Sequence, residues 1–423
     1  MAEIKSNSLL FFLGDPYKPT RDQAVESYRF TGGISWWVVP LIVGVVLLLI
    51  TGVGAASDAK QFYFSYLVGW MFCLTVTLGC LFFVLVQHLT KARWSAVVRR
   101  VPEALLWAFP LLAVLSIPIF VGMHDLYHWT HLELFDPTSP KYDPLVAGKA
   151  PYLNVPFFIG RVVFYFLAWI FISYRLYSLS LKQDLAPSAD IPVAMRKISA
   201  IGLVLFALTI AFAGFDLIMS VDPHWFSTIF GVYMFAGSFL SALAMMILVL
   251  SMLQRTGGML KGVVTVEHYQ DLGKFLFGFT VFWAYIAFSQ YMLYWYGNIP
   301  EETIWYRHRL EHGWQYHSAV LLGMHFILPF IVLLPRWTKR ILPLLTFMAV
   351  YMLIMHWFDL HWLVMPVLDL QQNGHAGFHW MDFTAFLGLF SILLGTLFYR
   401  LSRHSLVPQN DPFLSESLHF HST

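Results

Sequence analysis

The chain has 423 residues, of which 58% are hydrophobic and only 12% are charged, and its formal net charge is +2. Soluble domains carry about 25% charged residues, so this composition excludes an ordinary soluble enzyme and a disordered tail. The small net charge also excludes a polyanion-binding module, and no nucleic-acid partner is expected. The sequence therefore predicts a polytopic membrane protein.

Ten stretches along the chain are long and apolar enough to cross a bilayer, since a span needs roughly 20 mostly apolar residues. They cover approximately 36–54, 63–88, 104–122, 154–180, 197–220, 228–253, 274–297, 314–335, 341–366 and 381–400. Their apolar runs are continuous, whereas strands of a membrane barrel alternate between apolar and polar residues. The predicted fold class is an all-α polytopic membrane protein with about ten transmembrane helices.

The basic residues predict the orientation of these spans. Most of the 26 Lys and Arg fall in the two terminal tails and in every second connection. Because positive charge accumulates on the cytoplasmic side, both termini are predicted to be cytoplasmic. The predicted organisation is a cytoplasmic tail over 1–35, a membrane domain over 36–400 and a second cytoplasmic tail over 401–423.

A short repeat indicates how the spans are arranged. Phe215-Asp216-Leu217 ends the fifth span and Phe358-Asp359-Leu360 ends the ninth, and both spans run outward. Spans 2–5 and 6–9 are therefore predicted to form two four-helix bundles, over 63–220 and 228–366. Spans 1 and 10 are predicted to flank them.

Polar residues within the predicted spans are the candidates for function, because buried charge in a bilayer is costly. They gather in the outer third of the membrane, whereas the inner half is expected to offer only hydroxyls. Two interpretations stay open. The residues form structural pairs, such as Arg161–Asp216 and His356–Asp359, or they line a cavity that conducts protons or binds quinone. The set comprises Arg161, Asp216, Gln290, Tyr291, His325, His356, Asp359 and His361.

Redox cofactors are not expected in the chain itself. A four-helix b-type cytochrome needs paired histidines on two helices, and only His325, His356 and His361 lie clearly within spans. The only cysteines, Cys73 and Cys80, form no zinc or iron–sulfur pattern. We therefore expect no cofactor bound covalently or by ligation.

Two longer motifs carry a family resemblance. They are residues 215–228, FDLIMSVDPHWFST, and residues 288–302, FSQYMLYWYGNIPEE. Both closely resemble membrane subunits of bacterial alternative complex III, within the NrfD/polysulfide-reductase membrane-subunit family. The resemblance covers essentially the whole chain, including ten spans and two four-helix bundles.

The resemblance implies a place in a quinol:electron-acceptor oxidoreductase of the bacterial inner membrane. It is nearer to the second of two paralogous membrane subunits than to the quinol-binding one. The implied partners are that paralogue, an iron–sulfur protein, multi-haem c-type cytochromes, membrane lipids and a terminal oxidase. Haem and iron–sulfur clusters would reside in the partner subunits, with electrons passing to cytochrome c or a similar acceptor.

The resemblance also implies roles for particular residues. A proton pathway would use Asp125, Arg161, Asp216, His325, His356, Asp359 and His361. A quinone site would use His124, Asp125, Gln290 and Tyr291. Two other functions remain open from the residues alone: a proton-coupled secondary transporter, and a purely structural anchor of the complex.

Overall fold

The computed structural model describes residues 28–372 and 376–422. Within these ranges the chain is helical and without strands, and ten helices are long and apolar enough to span a membrane. These observations confirm the predicted fold class. Most of the predicted N-terminal tail, residues 1–27, lies outside the described residues.

The ten long helices agree with the predicted spans, although several are longer at one end. They are α1 (Ser35–Gly54), α2 (Ala59–Leu89), α3 (Arg100–Val121), α4 (Val155–Leu185), α5 (Asp190–Leu217), α6 (Phe230–Gly257), α7 (Val266–Gly297), α8 (Trp314–Leu333), α9 (Leu342–Gln372) and α10 (Trp380–Arg403). Short helices and turns connect them at Arg93–Ser95, Met123–Leu126, His128–Thr130, Leu132–Leu134, Pro144–Gly148, Met219–Val221, Pro300–His308, Trp337–Arg340 and Leu414–Leu418.

Helices α2 and α6 form the centre of the molecule. In their apolar windows 94% and 89% of residues are buried, against 17% in α1. The two helices cross closely at Gly79, where a Cβ would lie only 2.0 Å from the Ser238 carbonyl oxygen. A glycine is therefore required at this crossing.

The remaining helices pack around this centre in a nearly twofold pattern. Helix α2 packs on α5 as α6 packs on α9, and α5 contacts α6 as α9 contacts α2. The packing therefore stays much the same when α2–α5 are exchanged for α6–α9. Helices α1 and α10 pack on each other and against α2, outside both bundles. The residue limits of the repeats, 63–220 and 228–366, stay a prediction.

The two ends of the bundle differ in what they carry. At one end the Leu406 amide donates to the Tyr28 carbonyl at 2.7 Å, which joins the start of α1 to the segment after α10. We call this end the C-terminal face. The opposite end carries the connections 123–153 and 298–313, and we call it the long-loop face.

Two spans are irregular, and prolines account for the irregularity. Helix α3 consists of three helical pieces, and Pro110 and Pro118 lie in the second and third. In α8 a π-helical segment, Leu321–Ile327, precedes Pro329. Because proline lacks an N–H group, it leaves carbonyls of the preceding turn without their helical partners.

Candidate functional site

The first bundle buries an ion pair between α4 and α5. Arg161 Nε and Nη2 donate to the two carboxylate oxygens of Asp216, both at 2.9 Å. The hydroxyl of Tyr165 donates to the same carboxylate at 2.7 Å. Asp216 is fully buried and Arg161 is 9% exposed. The predicted contact between Arg161 and Asp216 is therefore present, in the bidentate geometry that makes such pairs strong.

Residues near the long-loop face complete the environment of this ion pair. Arg161 Nη1 donates to the Tyr152 carbonyl at 2.9 Å, and the guanidinium lies 3.8 Å from the centre of the Tyr152 ring. The ring of Phe157 lies 4.3 Å away. Two aromatic rings thus lie against the guanidinium, which stabilises a cation shielded from water.

The second bundle buries its carboxylate without a cation. Asp359 on α9 accepts hydrogen bonds from the Tyr233 hydroxyl and, at 3.1 Å, from Trp283 Nε1. No Lys or Arg in the described ranges pairs with it, and its side chain is 1% exposed. A buried carboxylate held only by neutral donors is costly as an anion, so it is well placed to exchange a proton.

His356 lies one turn before Asp359, but the two side chains do not bond directly as the sequence interpretation had paired them. Instead the Nε2 atom of His356 lies 2.8 Å from the Thr75 hydroxyl of α2, across the two bundles. Both residues border the space above Gly237, where a Cβ would lie 3.2 Å from His356 Nδ1 and 4.0 Å from Asp359 Oδ2. The glycine thus leaves room for the imidazole beside the carboxylate.

His325 occupies the π-helical segment of α8. Its ring is fully buried and stacks on Trp283, with ring centres 4.0 Å apart. Neither of its ring nitrogens has a hydrogen-bond partner among the described residues. π-Helical segments often mark functional sites, and an unpaired buried imidazole is unusual in a purely structural role. We call Tyr233, Trp283, His325, His356 and Asp359 the Asp359 site.

His361 belongs to a separate cluster beside α10. Its Nε2 atom lies 3.4 Å from Asp382, a buried carboxylate near the start of α10. Asp382 also accepts hydrogen bonds from Ser65 at 2.6 Å and Gln61 at 3.0 Å, both on α2. The structure therefore places His361 with α10, whereas the sequence interpretation had grouped it with Asp359.

The four residues predicted to bind quinone lie in two different environments. His124 and the partly exposed Asp125 are on Met123–Leu126, and His124 stacks on His131 with ring centres 3.9 Å apart. Gln290 is buried on α7, where it accepts from Ser227 and donates to the Tyr306 hydroxyl, both at 3.1 Å.

Tyr291 follows Gln290 on α7 and is 37% exposed. Its ring packs edge-on against Tyr306, with ring centres 5.2 Å apart. His124 and Asp125 thus have different neighbours from Gln290 and Tyr291.

A cleft of about 370 Å³ opens at the long-loop face beside the ion pair. Its walls are mainly aromatic and apolar, and Tyr152 brings it next to Arg161. The lining includes Lys149, Tyr152, Phe215, Met219, Trp225 and Phe226. Burial lowers the pKa of Lys149, whose ammonium donates to the Pro223 carbonyl at 2.5 Å. The four residues predicted to bind quinone do not line this cleft.

Arg309, which the sequence analysis treated only as a loop charge, is buried against the second bundle. Its guanidinium donates to the carbonyls of Trp362 at 3.3 Å and Leu363 at 2.7 Å, and it stacks on Trp305. Pro366 cannot donate to the Trp362 carbonyl, so Arg309 supplies the missing hydrogen bond. Burial lowers the pKa of Arg309 to about 9, which leaves it charged at neutral pH.

A buried ionic cluster lies at the C-terminal face of the first bundle, where only hydroxyls were expected. Glu103 at the start of α3 is fully buried and is bonded by Arg99 at 3.0 Å and by Ser180 at 2.8 Å. The cluster comprises His88, Arg99, Arg100, Glu103, Asp184 and Asp411. The sequence expectation was wrong because the connection between α2 and α3 folds inward rather than into solvent.

Helix α4 links this ionic cluster to the Arg161–Asp216 pair. Buried polar side chains recur along one of its faces at intervals of three or four residues. They are Arg161, Tyr165, Trp169, Ser173, Tyr177 and Ser180, and we call them the α4 line. Its ends are 19 residues apart, or about 28 Å along the helix, close to the thickness of the hydrocarbon core.

Some side chains of the α4 line have hydrogen-bond partners among the described residues and others do not. Trp169 donates to the Thr209 hydroxyl at 2.9 Å and Ser180 to Glu103. The hydroxyls of Ser173 and Tyr177 are buried and have no partner within the described part of the chain. Buried hydroxyls are normally satisfied by protein or water, so these positions are suited to ordered water.

Comparisons with protein-family models and with curated proteins gave no match for this chain. The family resemblance in the two long motifs therefore remains a hypothesis.

Proposed function

We propose that the chain is a proton-conducting integral subunit of a quinol-oxidising electron-transfer complex of the NrfD-like family. In this proposal the chain carries no redox centre and acts in the bacterial inner membrane, with its C-terminal face toward the cytoplasm. The proton role rests on the geometry of buried side chains. The association with a quinol-oxidising complex rests on the two long motifs.

The observation that carries the proton role is the environment of Asp359. It is a fully buried carboxylate with neutral hydrogen-bond donors and with two imidazoles nearby. Each imidazole has a ring nitrogen without a partner in the described part of the chain. A structural pair would satisfy these groups with one another. A carboxylate and imidazoles with free positions can instead pass a proton through water.

The α4 line supports the proposal by offering a polar path across the first bundle. It begins at the ionic cluster, which brings titratable groups to the C-terminal face, and ends beside the Arg161–Asp216 ion pair, where water rather than Asp216 would carry the proton. A relay along this path needs water at Ser173 and Tyr177, whose hydroxyls have no partner among the described residues. The long-loop face would then release the protons, with Asp125 at its surface.

Two features support a quinol partner at the long-loop face. The cleft of about 370 Å³ is of a size that small-molecule sites use, and it has aromatic walls suited to a quinone ring. The long motifs imply an iron–sulfur protein, multi-haem cytochromes and a paralogous membrane subunit as partners.

The transporter alternative is less well supported by the helix geometry. Transporters with repeated bundles usually break equivalent helices around a central substrate site. Here the broken helix of the first bundle is α3 and the irregular helix of the second is α8, which are not equivalent under the exchange of bundles. A purely structural anchor is the alternative that the following experiment excludes or establishes.

The test is to purify the tagged full chain from its native membranes in mild detergent and identify the subunits that accompany it. Multi-haem c-type cytochromes and an iron–sulfur protein are expected, and isolation as a lone chain would contradict the complex. In the purified complex, Asp359→Asn should lower quinol turnover and proton release at least tenfold without loss of subunits.

The matched control is Asp359→Glu, which keeps an ionisable group at the same place. Retention of much of the turnover in Asp359→Glu, with loss in Asp359→Asn, supports proton exchange. Full turnover in both variants would establish the structural-anchor alternative instead.

A further inference from the structure

A second cavity, of about 250 Å³, opens at the C-terminal face of the first bundle. It lies between the end of α2, the start of α5 and residues 411–413. We call it the C-terminal-face pocket. Because its walls are residues at helix ends, it lies at the level where the headgroups of the adjacent membrane leaflet would be.

The pocket carries an excess of positive charge. Lys91, Arg99 and Arg196 line it, and Asp411 is the acidic residue among the lining side chains. Asp411 is already paired with Arg99. Lys91 and Arg196 make no ion pair with any part of the chain that the structure describes. Two cations are therefore free to meet an anion.

The inner wall of the pocket carries an unpaired polar atom. Gln87 and His88, which are 5% and 9% exposed, both line it. Gln87 Oε1 has no hydrogen-bond partner within 28–372 and 376–422, whereas His88 Nε2 lies 3.8 Å from Glu103 in the ionic cluster. A buried amide oxygen needs a donor, so the ligand should carry hydroxyl groups beside its anionic group.

The rest of the pocket is apolar and continues onto the surface of α5. Pro192, Val193 and Phe413 form part of its wall. Beyond Val193 and the exposed Lys197, an apolar stripe runs along the same face of α5 toward the middle of the membrane, at Ile201, Val204 and Leu208. Val193 and Leu208 are 15 residues apart, or about 22 Å, a length that suits an acyl chain with its headgroup at the basic end.

We propose that the C-terminal-face pocket binds an anionic phospholipid of the adjacent leaflet. The phosphate lies between Lys91 and Arg196, a headgroup hydroxyl donates to Gln87 Oε1, and an acyl chain follows the stripe on α5. Basic pockets at the cytoplasmic ends of transmembrane helices are suited to such headgroups. The proposal does not depend on the electron-transfer complex or on proton conduction.

The experiment uses native mass spectrometry of the full chain, equilibrated in micelles with equal amounts of phosphatidylglycerol and phosphatidylcholine. The wild type should retain one phosphatidylglycerol preferentially. Lys91→Ala with Arg196→Ala should weaken that retention roughly 30-fold, because each basic residue near the surface contributes about fivefold. A control that removes two exposed basic residues of the same face, Lys182→Ala with Arg403→Ala, should keep the wild-type preference.

A second variant tests the pocket without changing its charge. Ala189→Trp places a large ring in the pocket and should also abolish retention, while the thermal unfolding midpoint shows that the chain remains folded. Retention in either pocket variant at the wild-type level would overturn the proposal. Displacement of phosphatidylglycerol by inorganic phosphate would also overturn it, since the site would then be one for free anions.

Discussion

The two bundles bury a carboxylate at the same point of a shared Phe-Asp-Leu sequence, yet they compensate it differently. In the first bundle Asp216 receives two hydrogen bonds from Arg161 and a third from Tyr165. In the second bundle Asp359 receives only neutral donors, from Tyr233 and Trp283. The aspartate of the same tripeptide is thus paired with an arginine in one bundle and is bonded only by neutral donors in the other.

This difference assigns different tasks to the bundles. A bidentate arginine pairs with Asp216 and holds α4 against α5, so the pair anchors the end of the α4 line. Within residues 28–372 and 376–422 Asp359 has no such partner, and gaining a proton relieves the cost of a buried anion. The buried arginine of the second bundle, Arg309, is instead committed to carbonyls near Pro366.

The largest expected effect on stability comes from removing Arg161 from its ion pair with Asp216. Arg161→Ala leaves Asp216 buried without its cation and should destabilise the chain by about 3–5 kcal/mol. The measurement is unfolding of the purified chain in mild detergent. Adding Asp216→Leu to the Arg161 variant should restore much of the loss, because the stranded charge is then removed. A loss of less than about 1 kcal/mol of unfolding free energy in Arg161→Ala would show that the ion pair does not hold α4 and α5 together.

A matched pair of tyrosine substitutions compares the two carboxylates directly. Tyr233→Phe removes one of the two donors to Asp359 and should cost about 2 kcal/mol of unfolding free energy. Tyr165→Phe leaves the bidentate arginine on Asp216 and should cost about 1 kcal/mol. Equal costs in the same unfolding assay would mean that the two carboxylates are equally well compensated.

His325 should matter for turnover and little for stability. His325→Phe keeps the stacking on Trp283 and breaks no hydrogen bond described in the structure, so its stability should change by less than about 1 kcal/mol. Turnover of the complex should fall about tenfold or more if the imidazole relays protons. A large loss of stability with normal turnover would instead make His325 a packing residue.

The smallest expected effect concerns the stacked histidines of the long-loop face. Burial, and then the neighbouring His124, lowers the pKa of His131 below its usual value. Because folding favours the neutral ring, this contribution to loop stability is present at pH 7 and is lost as the pH falls through the lowered pKa. Hydrogen exchange of residues 123–134 should therefore accelerate modestly toward about pH 5, after correction for intrinsic rates. His131→Gln should remove the dependence, and identical protection at both pH values would contradict it.

The sequence predicted the architecture because its signals are local. Ten apolar stretches are read directly from composition, and the repeated Phe-Asp-Leu located the two buried carboxylates at matching depths. The contact of Arg161 with Asp216 followed from their shared depth near one end of adjacent spans.

The chemistry around those carboxylates was harder to predict because it depends on packing between distant segments. From the sequence Tyr233 and Trp283 are ordinary aromatic core residues, and only the fold shows that both donate hydrogen bonds to Asp359. From the sequence Arg309 is only a loop charge, although Pro366, at the end of the ninth predicted span, is a signal that a carbonyl of the preceding turn needs a donor. Glu103 was missed because nothing local shows that the connection before α3 folds inward.

The most direct test of the account asks which of the two carboxylates exchanges a proton. Infrared difference spectra of the purified chain, recorded through a pH titration, report the C=O stretch of a protonated carboxylic acid. The account predicts a titrating band that is absent in Asp359→Asn and retained in Asp216→Asn. A band that persists in Asp359→Asn, or one that disappears only in Asp216→Asn, would contradict it.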